Sequence, residues 1–245
     1  KPSFTARNSP ALLATVNITR IWNRHNMGTT PEEERERPRL YLISPAVIDL
    51  DGFEAAFRDA ISGGDIACFQ LRLKDRPKEE IIAATRRLFP IAEAANVAFL
   101  LNDDVRLARE LQVDGVHVGA EDMPYKQARE LLGPDAIIGV TCKNSRHLAI
   151  EAGEMGADYV AFGAFFPSST KANTTKADPE ILEWWANTTT VPSVAIGGIT
   201  VKNAEGILRS GADFLAVGNG VWGYSDGPKE AVAAFNRVID KVMTT

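Results

Sequence analysis

The chain has 245 residues, a formal net charge of −5, 45% hydrophobic and 24% charged residues. This is the balance of an ordinary globular protein, long enough for one α/β barrel or two small domains and for a core that folds without staples. The acidic balance argues against nucleic-acid or membrane-surface partners, although a local basic pocket stays open. No apolar run approaches a membrane span.

The two cysteines, Cys68 and Cys142, sit in apolar runs without metal-binding spacing. They read as free thiols in a reducing compartment, which places the protein in the cytoplasm. Residues 1–38 differ from the rest. Up to Pro31 they hold Lys1, Arg7, Arg20 and Arg24 and no acid, and a charged run, Glu32-Glu33-Glu34-Arg35-Glu36-Arg37, then leads to Pro38. Basic, acid-poor leaders can be targeting segments. The plainer reading is an N-terminal extension with no assigned chemistry, followed by one domain over residues 39–245.

From Leu40 onward, short β-rich runs alternate with helical patterns. The expected strands are Leu40–Ile43, Cys68–Leu73, Ala98–Asn102, Gly115–Val118, Ile137–Thr141, Tyr159–Gly163, Ser193–Gly197 and Phe214–Gly218. After the first, Asp51 and Glu54 form a capping-box pattern, Phe53, Phe57 and Ile61 give one apolar stripe, and Gly63-Gly64 ends the helix. Pro77 suits the start of the next helix, and Pro90 should kink or interrupt it. The last helix runs from about Pro228 to Met243. Eight alternating strand–helix units imply a parallel sheet closed into a (β/α)8 TIM barrel. An open doubly wound sheet would want a glycine-rich fingerprint after the first strand, where this chain has Ser44-Pro45-Ala46-Val47.

In such barrels the active site lies at the C-terminal ends of the strands. The second run places Gln70, Arg72 and Lys74 on one face and Phe69, Leu71 and Leu73 on the other. The apolar face must meet the helices, so the polar face points into the barrel mouth. Two cations there need an anion, for which a phosphate or diphosphate fits, or else an internal ion pair with Asp103 or Asp122. The third run ends at Asn102-Asp103-Asp104, and the fourth leads to Glu121-Asp122. Acids at adjacent strand ends suit Mg²⁺, which takes one or two carboxylates plus substrate phosphates, but Asp103 or Asp104 could equally cap the next helix.

Thr141 ends the fifth run as a lone hydroxyl. Ser168-Ser169-Thr170-Lys171 offers three hydroxyls and a cation, which suits a phosphate. Gly197-Gly198 and Gly218-Asn219-Gly220 allow close backbone approach at the strand ends where phosphate sites are frequent. His117, inside the fourth run, reads as a satisfied core histidine rather than a general base.

Gln70-Leu71-Arg72-Leu73-Lys74, Asn102-Asp103-Asp104-Val105, Asp114 through Gly119 with Glu121-Asp122, Ser169-Thr170-Lys171 and Ala195 through Ile199 together resemble the thiamine-phosphate synthase family, also called thiamine phosphate pyrophosphorylase. They occur in its order, from about Arg39 to Val242. The resemblance implies a transferase of thiamine biosynthesis that couples an aminopyrimidine diphosphate with a thiazole phosphate, with diphosphate leaving. Small molecules would be its partners, and a homo-oligomer is left open.

The resemblance also assigns roles. Gln70, Leu71, Arg72, Leu73, Lys74, Asn102 and Lys171 would hold the pyrimidine diphosphate. Asp103 and Asp122 would bind Mg²⁺. Thr141 stands where the family commonly has Ser near the pyrimidine. Ser168, Ser169, Thr170, Gly198, Gly218 and Asn219 would meet the thiazole phosphate. Arg72, Lys74, Lys171 and Thr141 are the residues implied to take part in catalysis. Two departures stand out: Ser168-Ser169-Thr170-Lys171 where the family usually has Thr-x-Thr-Lys, a change that keeps a hydroxyl, and Gly218-Asn219 where it often has an apolar residue then Ser. A thiazole tautomerase-like isomerase and a non-catalytic phosphate-binding paralogue are the alternatives.

Overall fold

A computed structural model describes residues 36–167 and 176–244. Eight parallel strands close into a barrel in sequence order. They are β1 (Arg39–Ile43), β2 (Ile66–Leu71), β3 (Ala98–Asn102), β4 (Gly115–Val118), β5 (Ile137–Lys143), β6 (Tyr159–Phe162), β7 (Ser193–Ile196) and β8 (Phe214–Val217). The helices are α1 (Leu50–Ser62), α2 (Lys78–Ala94), α3 (Val105–Leu111), α4 (Tyr125–Leu132), α5 (Arg146–Glu154), α6 (Glu180–Thr188), α7 (Ala204–Arg209), a short α8 (Asn219–Trp222) and α9 (Gly227–Met243). The (β/α)8 architecture expected from the strand count is therefore present.

Strand alternation builds two cores. Outward residues such as Leu40, Leu42, Phe69, Leu71, Phe99 and Leu101 are buried against the helices. Inward residues such as Tyr41, Cys68, Leu100, Ile137, Tyr159 and Val194 fill the barrel itself. Gly139 makes room for this filling. It lies beside Tyr159 in the β5–β6 register, and a Cβ there would fall 1.8 Å from the tyrosine ring.

A repeated device fixes the lower rim. An aspartate stands immediately before each even-numbered strand and reaches back to the start of the preceding odd one. Asp114 accepts from Phe99 N at 2.7 Å, Asp158 from Ile138 N at 2.7 Å and Asp213 from Ser193 N at 2.8 Å. Asp65 does the same through the Arg39 side chain, at 2.6 and 2.8 Å. These charge-assisted bonds tie strands in pairs at the end away from the site.

Three local expectations are corrected. Asp49, not the Asp51–Glu54 pair, caps α1. Its extended backbone turns the carboxylate onto Gly52 N at 3.0 Å, while Asp51 and Glu54 pair instead with Arg87 on the next helix. Pro90 does not interrupt α2. It faces solvent on the outside of a helix whose inner face is held by Leu88, Ile91 and Ala92, and a solvent-side position is where a curved helix best tolerates a missing bond. Finally, β2 begins two residues earlier and ends at Leu71, so Arg72 and Lys74 lie beyond the ladder rather than within it.

Candidate active site

The upper rim gathers Arg72, Lys74, Asp103 and Asp122. Ser44 Oγ, just past β1, accepts from Arg72 N at 2.8 Å, and Ser44 N donates to Gln70 O at 3.0 Å. The chain leaving β2 is thereby held to that leaving β1, with Arg72 half-buried and Lys74 exposed. Leu71 and Leu73 turn their side chains into the helical layer, so any part they take in a site is through the backbone.

At the end of β3 two aspartates divide the work. Asp104 caps α3, accepting from Leu107 N at 2.9 Å. Asp103 adopts a left-handed backbone, φ 64°, and donates its N–H to His117 O at 2.8 Å. A left-handed non-glycine residue is uncommon, and here it turns one carboxyl of the pair toward the mouth while its neighbour serves the helix. Asp122 comes from the loop after β4 and accepts from Gly119 N at 2.7 Å.

These groups act on one another. The Asp103 carboxyl is raised to about 6, first by loss of water around it and then by the charge and hydrogen bond of Asp122, while the positive charges of Arg72 and Lys74 oppose the shift. Asp103 is exposed as a residue at the rim, yet its carboxyl is flanked closely enough by protein for desolvation to lead. Two carboxyls crowded in this way are the usual cause of a raised acid. Among the described residues, neither Arg72 nor Lys74 closes an ion pair of its own. The internal ion pair considered from the sequence is thus absent there, although both cations bear on Asp103.

The raised Asp103 has a measurable consequence. Between 3.8 and about 6 the folded metal-free protein holds a proton that the unfolded chain has lost. Stability should therefore fall as pH rises through that window, and Asp103→Asn should flatten this slope in urea titrations.

Inside the rim, polar side chains form a continuous line. Asn102 Oδ1 accepts from Gln70 Nε2 at 2.7 Å, and Gln70 Oε1 accepts from the Tyr41 hydroxyl at 3.2 Å. The Tyr41 and Tyr159 hydroxyls meet at 2.8 Å. His117 lies 2.8 Å from Tyr159 through Nδ1 and 2.7 Å from Thr141 Oγ1 through Nε2. His117 is accordingly the satisfied core histidine expected. Tyr41 and Tyr159 were not among the candidate residues. Strand parity could have found them, since Tyr41 alternates with outward Leu40 and Leu42. Burial pushes both phenols well above their ordinary value, so they stay protonated.

Across the mouth, the turns after β6 and β7 are bound together. Phe165 N donates to Ile196 O at 3.2 Å and Phe166 N to Gly197 O at 3.1 Å. Gly198 has φ 61°, and a Cβ there would fall 2.4 Å from Pro167 O. No side chain fits, and the chain is led against Gly198 as it enters Ser168-Ser169-Thr170-Lys171. Those four residues lie outside the described ones. Gly218 precedes the short helix α8, whose first residue, Asn219, is exposed, and Trp222 Nε1 ties that helix to Ile43 O at 2.6 Å.

Arg72, Lys74, Asp103 and Asp122 thus surround one region of the mouth, with Asn102 and Thr141 at its floor and Gly198, Gly218 and Asn219 on the strand ends opposite. Among the described residues no group of three or more His, Cys, Asp or Glu could hold a metal ion. A closed all-protein metal cage is not what this rim offers. No described helix is long and apolar enough to cross a membrane.

Comparison with known proteins adds the following. The family described as thiamine monophosphate synthase matches residues 40–221. A thiamine-phosphate synthase of Rhodospirillum centenum is 58% identical over 201 residues, covering 82% of this chain and 97% of that protein. One from Hyphomonas neptunium is 50% identical, covering 87% and 99%. Among solved structures, the thiamine phosphate pyrophosphorylase of Pyrococcus furiosus superposes with a TM-score of 0.73 at 31% identity, covering 84% of this chain and 97% of that one.

Proposed function

The chain belongs to the thiamine monophosphate synthase family, and from that premise we propose how its rim performs the coupling reaction. The enzyme joins an aminopyrimidine diphosphate to a thiazole phosphate, giving thiamine phosphate and diphosphate. The diphosphate departs from the pyrimidine methylene carbon, the ring amine feeds electrons toward the developing cation, and the thiazole nitrogen attacks with its own lone pair. No protein nucleophile is required. The protein has to neutralise the leaving group and hold two rings face to face, so electrostatics and proximity are the large terms.

Arg72 and Lys74 would hold the departing diphosphate, with Lys171 as a third cation. Asp103 and Asp122 would hold Mg²⁺. Their fit rests on the crowding itself: two carboxyls at adjacent strand ends, one with a raised pKa, form a site that a small divalent cation would relieve. A two-carboxylate set also suits an ion whose remaining ligands are phosphate and water. When bound, the ion would supply Lewis-acid stabilisation of the diphosphate. Gln70, Asn102 and Thr141 would orient the pyrimidine. Gly198, Gly218 and Asn219, with Ser168, Ser169 and Thr170, would receive the thiazole phosphate. A cytoplasmic setting agrees with the two free, buried cysteines.

One observation supports this reading above the alternatives: the convergence of two cations and two carboxylates on one side of the mouth. A thiazole isomerase needs a placed acid or base, and His117, the described histidine inside the barrel, has both ring nitrogens engaged. Purified protein given both substrates and Mg²⁺ should release thiamine phosphate and diphosphate in equal amounts, and EDTA should stop both. Isomerisation of a thiazole phosphate without coupling would overturn the reading.

A further inference from the structure

The line of polar groups under the rim has a direction. Gln70 Nε2 donates to Asn102 Oδ1 and Tyr41 donates to Gln70 Oε1. A phenol has a single proton, and that of Tyr41 is spent on Gln70. The 2.8 Å contact between the two tyrosines therefore requires Tyr159 to donate to Tyr41. The Tyr159 oxygen must then accept from His117 Nδ1, which makes Nδ1 the protonated nitrogen. In the neutral ring the other nitrogen is an acceptor. Thr141 has to donate its proton to His117 Nε2 at 2.7 Å.

We propose that His117, Tyr159 and Tyr41 are positioning residues that fix the hydrogen-bonding sense of the pocket floor through this chain. At one end Thr141 has its proton turned inward and offers only lone pairs to the mouth. At the other, Asn102 has its oxygen turned to Gln70 Nε2, which orients the amide so that it offers its N–H₂. The floor thereby presents an acceptor and a donor at set places, matched to a ring carrying an amino donor beside a ring-nitrogen acceptor. A ring with an oxo group in place of the amine would face lone pair against lone pair at Thr141. This rests on the pyrimidine lying over Asn102 and Thr141, as in the reading above, whereas the direction of the chain does not.

His117 is one of three histidines in the chain. This makes nitrogen-15 NMR of the full-length wild-type protein at neutral pH a direct test, with His147→Gln to aid assignment. The expected spectrum has a neutral His117 carrying its proton on Nδ1. A proton on Nε2, as a reversed Gln70 amide would impose, or on both nitrogens, overturns the proposal.

The second readout is kinetic. Tyr159→Phe and Thr141→Val should each raise KM for the pyrimidine diphosphate about tenfold, the scale of one lost hydrogen bond, and leave KM for the thiazole phosphate unchanged. Thr141→Ser should restore it. No rise, or an equal rise for both substrates, contradicts the positioning role. If no coupling occurs even in the wild-type protein, the functional reading fails, while the NMR result still decides the direction of the chain.

Discussion

Replacing Asp103 and Asp122 together by alanine is expected to lower turnover by about a hundredfold or more, the scale on which disturbed metal sites lose activity. The fold should survive. Asp103 lies at the exposed rim, and its charge is a cost rather than a gain while the metal is absent, because desolvation and Asp122 both disfavour it. Losing Asp122 frees only the Gly119 N–H, which sits where water can reach it. The double variant should therefore melt close to the parent while its activity collapses and no longer responds to added Mg²⁺. Turnover equal to the parent's would refute the assignment of these two carboxylates.

The second large effect is on stability. Phe69 is fully buried on the outer face of β2, with ring centroids of Phe57, Phe99 and Phe53 at 4.4, 5.4 and 6.1 Å. Trp222, on α8, lies at 6.5 Å. Phe69→Ala should cost about 3–5 kcal/mol, the usual range for truncating a core phenylalanine. Urea denaturation checks this directly. The next inward residue, Gln70, takes its direction from this anchor by alternation. At denaturant concentrations where the variant stays folded, KM for the pyrimidine diphosphate should still rise, since the anchor and Gln70 are neighbours on one short strand.

Much of this was legible because it is local. The alternation of Phe69, Leu71 and Leu73 with Gln70, Arg72 and Lys74 announced which face of β2 meets the helices, and the eight strand–helix units announced closure. The misreadings are also local, and each was decided by something outside the window read. The α1 cap fell to Asp49 because Asp51 and Glu54 found Arg87 on another helix. Pro90 was tolerated because its position on the helix faces solvent.

The polar line from Asn102 to Thr141 was hidden for a different reason. It joins β3, β2, β1, β6, β4 and β5, and Tyr41 meets Tyr159 only once the barrel is closed. The paired signal was Gly139, whose missing side chain leaves the space that Tyr159 fills. Asp103 and Asp104, adjacent and chemically identical, could not be told apart as capping and mouth-facing groups until the left-handed turn at Asp103 was known.

Inorganic diphosphate, the departing group itself, gives the sharpest test of the rim when titrated calorimetrically into the purified protein with and without Mg²⁺. One site is expected, dependent on Mg²⁺, weakened by Arg72→Ala and abolished by the paired alanine substitutions at Asp103 and Asp122. Binding that is indifferent to EDTA and to all three substitutions would mean that the cations and carboxylates of this mouth do not form a common site.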